Sequence, residues 1–304
     1  MKIIQPDYIE NFQCDGKICN SRCCRDWQIA DGENILSLDK NGNCKNLDTD
    51  FLCKLQKNFG EDSLPPLCQT YPRVIYQLDE NIFEQSLTLT CPIAAQKILL
   101  RNAPIEFVEV SEIKSRFIID FRKKLSMPAE KFLQVQSTAI KILQDRNFPT
   151  DERLKNLCEY LYKKISARKD LDLHADNLIE IFSNMYGANL SDQKKIILRR
   201  NYLDNRENIL SHCDLENYLV NEFFMRCYPS AFIGDDWLNC KIFITGCRIL
   251  EFSIVLTALA DRNFDLINLI CAVNDKLDHS KGGMTAIINF AANISDENFF
   301  ASMI

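Results

Sequence analysis

The chain has 304 residues, of which 46% are hydrophobic and 26% are charged, so it can bury a full core and has the composition of an ordinary globular protein. Its net charge is −6 and its pI is near 5.3, which argues against broad electrostatic attraction to nucleic acid or anionic lipid. The N-terminus shows no signal-peptide pattern, and no later stretch offers about 18 consecutive apolar residues. We therefore expect a cytoplasmic protein that binds neither membranes nor nucleic acid.

The first part of the chain, up to about residue 91, is rich in residues that break helices. Its turn signals include Asp15-Gly16, Asp31-Gly32, Asn41-Gly42 and Pro65-Pro66. One helix is predicted over Thr49–Phe59, because its apolar residues fall on one face. Two short strands, 74–77 and 83–90, flank a turn at 79–81 and predict a β-hairpin.

From Pro92 onward the spacing of apolar residues changes to the helical period. Pro92 fits the first turn of a helix that runs to about Leu100. Further helices are predicted over 111–125, 129–145, 151–168, 171–186, 191–209, 214–228, 236–260, 263–278 and 284–292, with a last one capped by Ser295 or Asp296. The predicted fold is mainly α: an irregular cysteine-rich metal or iron–sulfur domain with a short β-hairpin over residues 1–100, then an all-helical domain over residues 101–304.

Cysteine is concentrated near the N-terminus. Eight of the fourteen cysteines lie before residue 92. They are Cys14, Cys19, Cys23, Cys24, Cys44, Cys53, Cys68 and Cys91. In a reducing compartment this density is explained better by a metal centre than by disulfides, because thiolates both bind and neutralise a soft metal ion.

The spacing leaves the kind of centre open. No histidine precedes His174, so a Cys2His2 zinc finger is excluded, whereas zinc held by cysteines and a [4Fe-4S] cluster are both compatible with the sequence. Which four of the eight cysteines bind is not determined, and some of them could instead be small buried hydrophobes. Six later cysteines lie on apolar helical faces, where we expect core packing. These are Cys158, Cys213, Cys227, Cys240, Cys247 and Cys271.

The N-terminal motif resembles a known family. It reads Phe12-x-Cys14-x4-Cys19-x3-Cys23-Cys24-x2-Trp27-x-Ile29, then Gly42-x-Cys44, Leu52-Cys53, Leu64-x3-Cys68-x2-Tyr71-Pro72-Arg73 and Ser86-Leu87-Thr88-Leu89-Thr90-Cys91-Pro92. This order and spacing resemble the flagellin lysine-N-methylases and, more distantly, small cysteine-rich proteins described as zinc- or iron-chelating. The likeness is close over the first hundred residues, while the helical remainder resembles the family only in character. Relatives usually carry a longer segment where this chain has only Ala30 to Asn43.

The resemblance implies a bacterial cytoplasmic enzyme that transfers methyl groups from S-adenosylmethionine to lysine amines of flagellin, with a [4Fe-4S] cluster held by the N-terminal cysteines. Two common methyltransferase designs do not match the sequence. None of the nine glycines forms the G-x-G turn of a Rossmann-type enzyme, and a radical-type C-x3-C-x2-C loop would need cysteine where Asp26 stands. The alternative is a non-catalytic zinc- or iron-binding or redox-sensing module that binds a partner protein.

Four side chains near the cysteines are candidates for a methyl-transfer site. Methylating a lysine requires a neutral amine, and Asp26 or Tyr71 could accept its proton. Arg73 could bind the carboxylate of the donor, and Trp27 could shield the centre from water. Structural roles are equally open for them: a turn-capping aspartate, a packed tyrosine, an arginine that balances charge and a core tryptophan.

Overall fold

The structure is a computed structural model of the chain. It describes residues 1–25, 30–31, 34–35, 38–113, 117–162, 167–232, 235–280 and 282–304. The chain divides into two compact units, Met1–Lys123 and Lys124–Ile304. The sequence placed a boundary at residue 100, and the first unit extends further along the chain.

A five-stranded mixed sheet frames the first unit. The strands of this unit are β1 (Lys2–Pro6), β2 (Ala30–Asp31), β3 (Asn34–Ile35), β4 (Arg73–Gln77), β5 (Ile82–Leu87), β6 (Phe107–Val110) and β7 (Ile119–Asp120). The sheet order is β6-β1-β5-β4-β7, while β2 and β3 pair separately. β1 runs parallel to β5 and antiparallel to β6, so the strand before the cysteines lies inside the sheet.

The sheet includes the predicted hairpin and is wider than the sequence indicated. β4 and β5 pair antiparallel, with Arg73 opposite Leu87, which confirms the hairpin. The helix predicted over 111–125 is wrong, because residues 119–120 form β7 beside β4. The Phe121 N–H donates to the Gln77 carbonyl at 2.9 Å, and the Phe121 ring packs edge-on against Tyr76. This pairing extends the first unit to Lys123.

Short helices connect the cysteine-bearing loops. They are α1 (Lys54–Phe59), α2 (Pro66–Thr70) and α3 (Pro92–Leu99), the last as predicted. The predicted helix over Thr49–Phe59 forms only from Lys54 onward. Phe51 adopts a left-handed φ of 58°, and the Asp48 carboxylate accepts the N–H groups of Asp50 and Leu52, so a turn replaces the first helical turn.

The second unit consists of packed helices, as the 3.6-residue period predicted. They are α4 (Ala129–Leu143), α5 (Thr150–Leu161), α6 (Leu171–Tyr186), α7 (Asp192–Leu210), α8 (Glu216–Met225), α9 (Asp236–Ala260), α10 (Leu266–His279), α11 (Gly283–Asn293) and α12 (Asp296–Met303). The Ser295 side chain caps α12 by accepting the Asn298 N–H, one of the two caps expected there.

α9 is the central helix of this unit. Among the described residues it alone is long and apolar enough to cross a membrane, with a mean hydropathy of 1.8 over the most apolar window. However, 72% of that window is buried inside the protein, packed against α5, α6, α7, α10, α11 and α12. A core helix passes the same test of length and composition, so α9 is weak evidence for a membrane span.

α9 also carries a buried arginine. Arg248 is 1% exposed, and its guanidinium bonds Glu251 at 2.8 Å and Asp151 at 2.7 Å. The Arg248 Nε donates to the Met303 carbonyl at 2.9 Å. Since a buried charge is tolerated only when paired, this network holds α5 and α12 against α9.

Arg248→Met should lower the free energy of unfolding by about 3–5 kcal/mol, because it leaves the buried Glu251 carboxylate without its cation. Arg200→Met is the matched control, since Arg200 forms an exposed helical pair with Asp204 at 3.5 Å and should contribute less than about 1 kcal/mol. Urea unfolding measures both values. Equal losses for the two variants would contradict the role given to the buried network.

A buried histidine lies close to this network. His174 is 1% exposed, and its Nδ1 hydrogen-bonds the carbonyl oxygen of Ser302. Because a carbonyl can only accept, Nδ1 carries the proton and Nε2 accepts from the Tyr202 hydroxyl at 2.9 Å. Burial, and then the charges of Arg248 and Arg206, lower the pKa of His174 to about 3. The folded protein therefore holds His174 neutral.

Acid should destabilise the second unit through His174. Its pKa is about 3 in the folded protein, against an ordinary value of 6.5, so below pH 6.5 the unfolded chain takes up a proton that the folded chain excludes. Stability is then lost as the pH falls, by about 2 kcal/mol from this group between about pH 7 and pH 5. Urea unfolding of wild type and His174→Gln at both pH values measures this, and identical losses would contradict it.

Candidate metal centre

All eight N-terminal cysteines line one cavity in the first unit. The cavity has a volume of about 430 Å³. Besides the thiols its lining includes Leu52, Leu55, Leu64, Leu67 and Tyr71, so its walls are largely apolar. The fold thus brings together cysteines from separate loops and from the start of α3.

The thiols lie around one cavity, but the described side chains do not form a coordination sphere. Among the described residues, no group of three or more Cys, His, Asp or Glu side chains is arranged to hold a single metal ion. The donor set nevertheless fits the chemistry of a soft metal, because it consists of thiols in a largely apolar surround. The ligands within the set of eight stay undetermined.

Three aspartates shape the loops around the cavity. Asp15, Asp39 and Asp48 each accept two backbone N–H groups from residues two to four positions further along the chain. Backbone hydrogen bonds are the main reason that the pKa values of the Asp39 and Asp48 carboxyls lie below their usual range. Asp15-Gly16 and Asn41-Gly42 are turn signals in the sequence, whereas no such signal marks the Asp48 turn.

Backbone hydrogen bonds then link the loops to one another. The Cys44 N–H donates to the Cys24 carbonyl at 2.7 Å, and the Ser21 hydroxyl donates to the Phe51 carbonyl at 2.5 Å. The second link requires glycine at position 16, since a Cβ there would lie 2.7 Å from the Ser21 hydroxyl oxygen and 3.2 Å from the Phe51 carbonyl oxygen. These links hold the Cys14–Cys24 loop beside the loops that carry Cys44 and Cys53.

Hydrophobic burial contributes little to the described part of these loops. Among the described residues between positions 13 and 64, only Ser21 is buried. Phe59 is 73% exposed and Ile18 is 65% exposed. The conformation of the cysteine loops therefore depends on hydrogen bonds and on whatever the thiols bind.

The protonation of the thiols differs around the cavity. Burial raises the pKa of Cys91 to about 11, and burial followed by the neighbouring Cys19 and Cys24 raises that of Cys14. A hydrogen bond with Cys23 lowers the pKa of Cys24 to about 7, while it raises that of Cys23. Most of these thiols would thus release a proton on binding a metal, with Cys24 closest to the thiolate at neutral pH.

The described candidates for catalysis and donor binding lie near the thiols. Tyr71 lines the cavity, and its hydroxyl is 3.1 Å from the Thr90 hydroxyl. The Arg73 guanidinium lies 5.4 Å from the centre of the Phe12 ring, and its charge partly offsets the rise that burial causes in the pKa of Cys14. Asp26 and Trp27 lie outside the described residues. The roles of all four stay predictions.

The cavity also has cationic lining residues that the sequence analysis missed. Arg22 and Lys57 both line it, and the Lys57 ammonium lies 3.3 Å from the Asp48 carboxylate. Positive charge at this position would offset the negative charge of thiolates. Arg22 lies within the cysteine motif, but no pattern in the sequence indicated that Lys57 would line the cavity.

The later cysteines belong to the helical unit. Cys158, Cys227, Cys240, Cys247 and Cys271 are buried, as expected for core residues, whereas Cys213 is half-buried. The Cys158 and Cys240 sulfurs lie 4.0 Å apart. All fourteen cysteines lie within the described residues, and none of them forms a disulfide there.

The comparisons with known proteins point to one group of proteins. The flagellar biosynthetic protein FliU of Salmonella muenchen is 28% identical over 130 residues, which cover 32% of this chain and 76% of that protein. Two proteins named lysine-N-methylase, from Salmonella choleraesuis (strain SC-B67) and Salmonella typhimurium (strain LT2), are each 28% identical over 281 residues and 79% of this chain. The chain is similar to lysine-N-methylases. This confirms the resemblance inferred from the N-terminal motif.

The similarity has limits in length and in structural support. The match spans 66% of the length of each lysine-N-methylase, just under two thirds. No protein-family model and no solved structure matches the chain. The similarity to these proteins is thus one of sequence, and to the lysine-N-methylases it extends over most of this chain.

Loss of cavity thiols should reduce bound metal. We expect Cys14→Ser/Cys24→Ser to hold much less iron or zinc than wild type after anaerobic loading, because two thiols of the cavity are replaced by hydroxyls, which bind soft metals less well. Cys213→Ser is the matched control, since Cys213 is half-buried in the helical unit. Elemental analysis and visible absorption measure the metal, and far-UV circular dichroism checks the fold. Unchanged metal in the folded double variant would contradict a centre that uses either thiol.

Proposed function

We propose that this chain is a protein lysine N-methyltransferase that acts on flagellin with S-adenosylmethionine as methyl donor. The observation that carries the proposal is the similarity to two lysine-N-methylases over 79% of the chain. The similarity to a flagellar biosynthetic protein supports flagellin as the substrate. The absence of disulfides among the fourteen described cysteines supports a reducing compartment, and we propose the bacterial cytoplasm.

A [4Fe-4S] cluster is proposed as the resident group of the cysteine cavity, with zinc as the alternative. The support is the donor set, in which eight thiols line one largely apolar cavity. Four thiols suffice for either group, and those not used as ligands would pack or hydrogen-bond around it. When bound, a cluster would supply an iron site able to bind the amino-acid portion of the donor. The exposed loops also fit a region whose folding is coupled to metal binding.

The proposed reaction transfers a methyl group from the sulfonium of S-adenosylmethionine to a lysine amine. The lone pair of the neutral lysine amine forms a bond to the methyl carbon, the carbon–sulfur bond breaks, and S-adenosylhomocysteine leaves. The nitrogen must lose one proton, either before the attack or after it. Tyr71, at the cavity wall and within 3.1 Å of the Thr90 hydroxyl, is the described candidate to take part in that proton transfer.

Donor binding is the second task of the site. Arg73 could pair with the donor carboxylate, and its closeness to Cys14 would bring that carboxylate near the thiols. The sequence adds Asp26 as a second proton acceptor and Trp27 as a shield against water. A substrate amine entering a largely apolar cavity would also be easier to deprotonate, because desolvation disfavours its ammonium form.

The direct test is methylation in vitro. Anaerobically reconstituted protein, incubated with flagellin and S-adenosylmethionine, should add mass increments of one methyl group to lysines, as measured by peptide mass spectrometry. Tyr71→Phe should lower the rate by roughly 100-fold if Tyr71 transfers the proton. Tyr162→Phe is the control, because Tyr162 lies in the helical unit and stacks on Trp237.

Two outcomes would overturn the proposal. Absence of methylation by protein with an intact metal centre would reject the enzyme. Metal-dependent binding of flagellin without modification would favour the non-catalytic metal-binding or redox-sensing module instead. A colourless protein with stoichiometric zinc would reject the iron–sulfur cluster alone.

A further inference from the structure

The helical unit contains a second large cavity, which is lined by amide side chains. This cleft has a volume of about 510 Å³ and is formed by residues of α6, α11 and α12 together with the residues next to α11 and α12. Five asparagines line it: Asn177, Asn184, Asn289, Asn293 and Asn298. We refer to it as the asparagine cleft. Methyl transfer in the first unit does not explain this lining.

The polar residues of the cleft are spaced along helical ridges. On α11, Thr285, Asn289 and Asn293 follow one another at intervals of four residues. Four residues advance an α-helix by about 6 Å. An extended polypeptide repeats every two residues, or about 6.4–6.8 Å. Amides on successive turns of α11 can therefore meet alternate peptide groups of an extended chain.

Most of these amides are free to bind a ligand. Within the part of the chain that the structure describes, the side chains of Asn184, Asn289 and Asn298 make no hydrogen bond, and all three residues are exposed. Asn177 donates to the Ser302 hydroxyl at 3.0 Å and Asn293 donates to the Asn289 carbonyl at 2.8 Å, and each keeps its amide oxygen. A primary amide offers both donors and an acceptor, which complements the C=O and N–H of a peptide group.

The charge of the lining restricts the ligand further. Glu180 is the only charged residue among the described residues that line the cleft, and it has no ion-pair partner among them. Among these described lining residues a phosphate-bearing ligand would meet a carboxylate and no cation, whereas a basic side chain would meet a partner. Half-buried Phe290 and Ile294 and buried Ile181 supply apolar surface beside the amides.

We propose that the asparagine cleft binds an extended polypeptide segment that carries a basic residue. The asparagine amides pair with its main chain, and Glu180 pairs with the basic side chain. Because the cleft recognises the main chain, it would tolerate different side chains in the bound segment. It could therefore bind several lysine-containing segments of one partner protein. The inference rests on the proposed function in one respect: the bound segment is taken to belong to the protein that is methylated.

The test is direct binding to the full chain. The probe is a fluorescein-labelled peptide of repeating Gly-Ser-Lys units, followed by fluorescence anisotropy. Asn289→Ala/Asn293→Ala should weaken binding by roughly ten-fold, because two amides that pair with the main chain are lost. Asn201→Ala is the matched control: Asn201 is exposed on α7 and does not line the cleft, so binding should not change.

A second comparison tests the charge. Glu180→Gln should weaken the Gly-Ser-Lys peptide by roughly three-fold while leaving a Gly-Ser-Gln peptide unchanged, since only the lysine peptide loses an ion pair. Weaker binding of the lysine peptide to wild type at high salt would support the same ion pair.

The outcomes separate this inference from the proposed function. Failure of wild type to bind the peptide, or equal binding by Asn289→Ala/Asn293→Ala, would overturn the inference. A linear maltooligosaccharide that displaces the peptide, or binds where the peptide does not, would overturn it in favour of a carbohydrate site. Because the readout is binding without methyl donor, an absence of methylation would reject the proposed function and leave this result intact.

Discussion

The described part of the cysteine loops in the first unit must keep its shape without a fully buried apolar side chain. Hydrophobic burial supplies most of the free energy that folds a domain, yet between positions 13 and 64 only Ser21 is buried among the described residues. Carboxylate-centred turns at Asp15, Asp39 and Asp48 and short backbone links take over part of that role. A metal centre would supply the remaining stabilisation. This need for stabilisation explains why thiols from separate loops face one cavity.

The helical unit has the opposite design. Its central helix is buried, and the charges it takes into the core are paired, as Arg248 is with Glu251 and Asp151. Burial there also holds His174 neutral and hydrogen-bonded to Tyr202. Such a core provides rigid helices, so that exposed faces such as the Thr285–Asn293 ridge keep fixed spacing.

The sequence predicted those parts of the fold that follow a local period. The helices from α4 to α12 were found because apolar residues recur along each buried face. β1, β6 and β7 were missed, since each has at most five residues and is stabilised by pairing with residues distant in sequence, as Ile119 is with Tyr76.

The candidate site was predictable only as far as residue type reveals it. The spacing identified the eight cysteines, because soft ligands are recognisable by residue type. The approach of Lys57 and the close contact at Gly16 depend on how the loops fold, which spacing does not determine. The asparagine cleft was not predicted, because a hydropathy pattern does not distinguish exposed asparagines from other polar surface residues.

The position of β1 in the sheet has a consequence for the order of events during synthesis. β1 pairs with β5 on one side and β6 on the other, so the sheet cannot close until the ribosome has passed Val110. By then every cysteine up to Cys91 has been made. The chain thus contains all eight of these cysteines before the five-stranded sheet can be complete, so a metal could reach thiols that have left the ribosome before the sheet has formed.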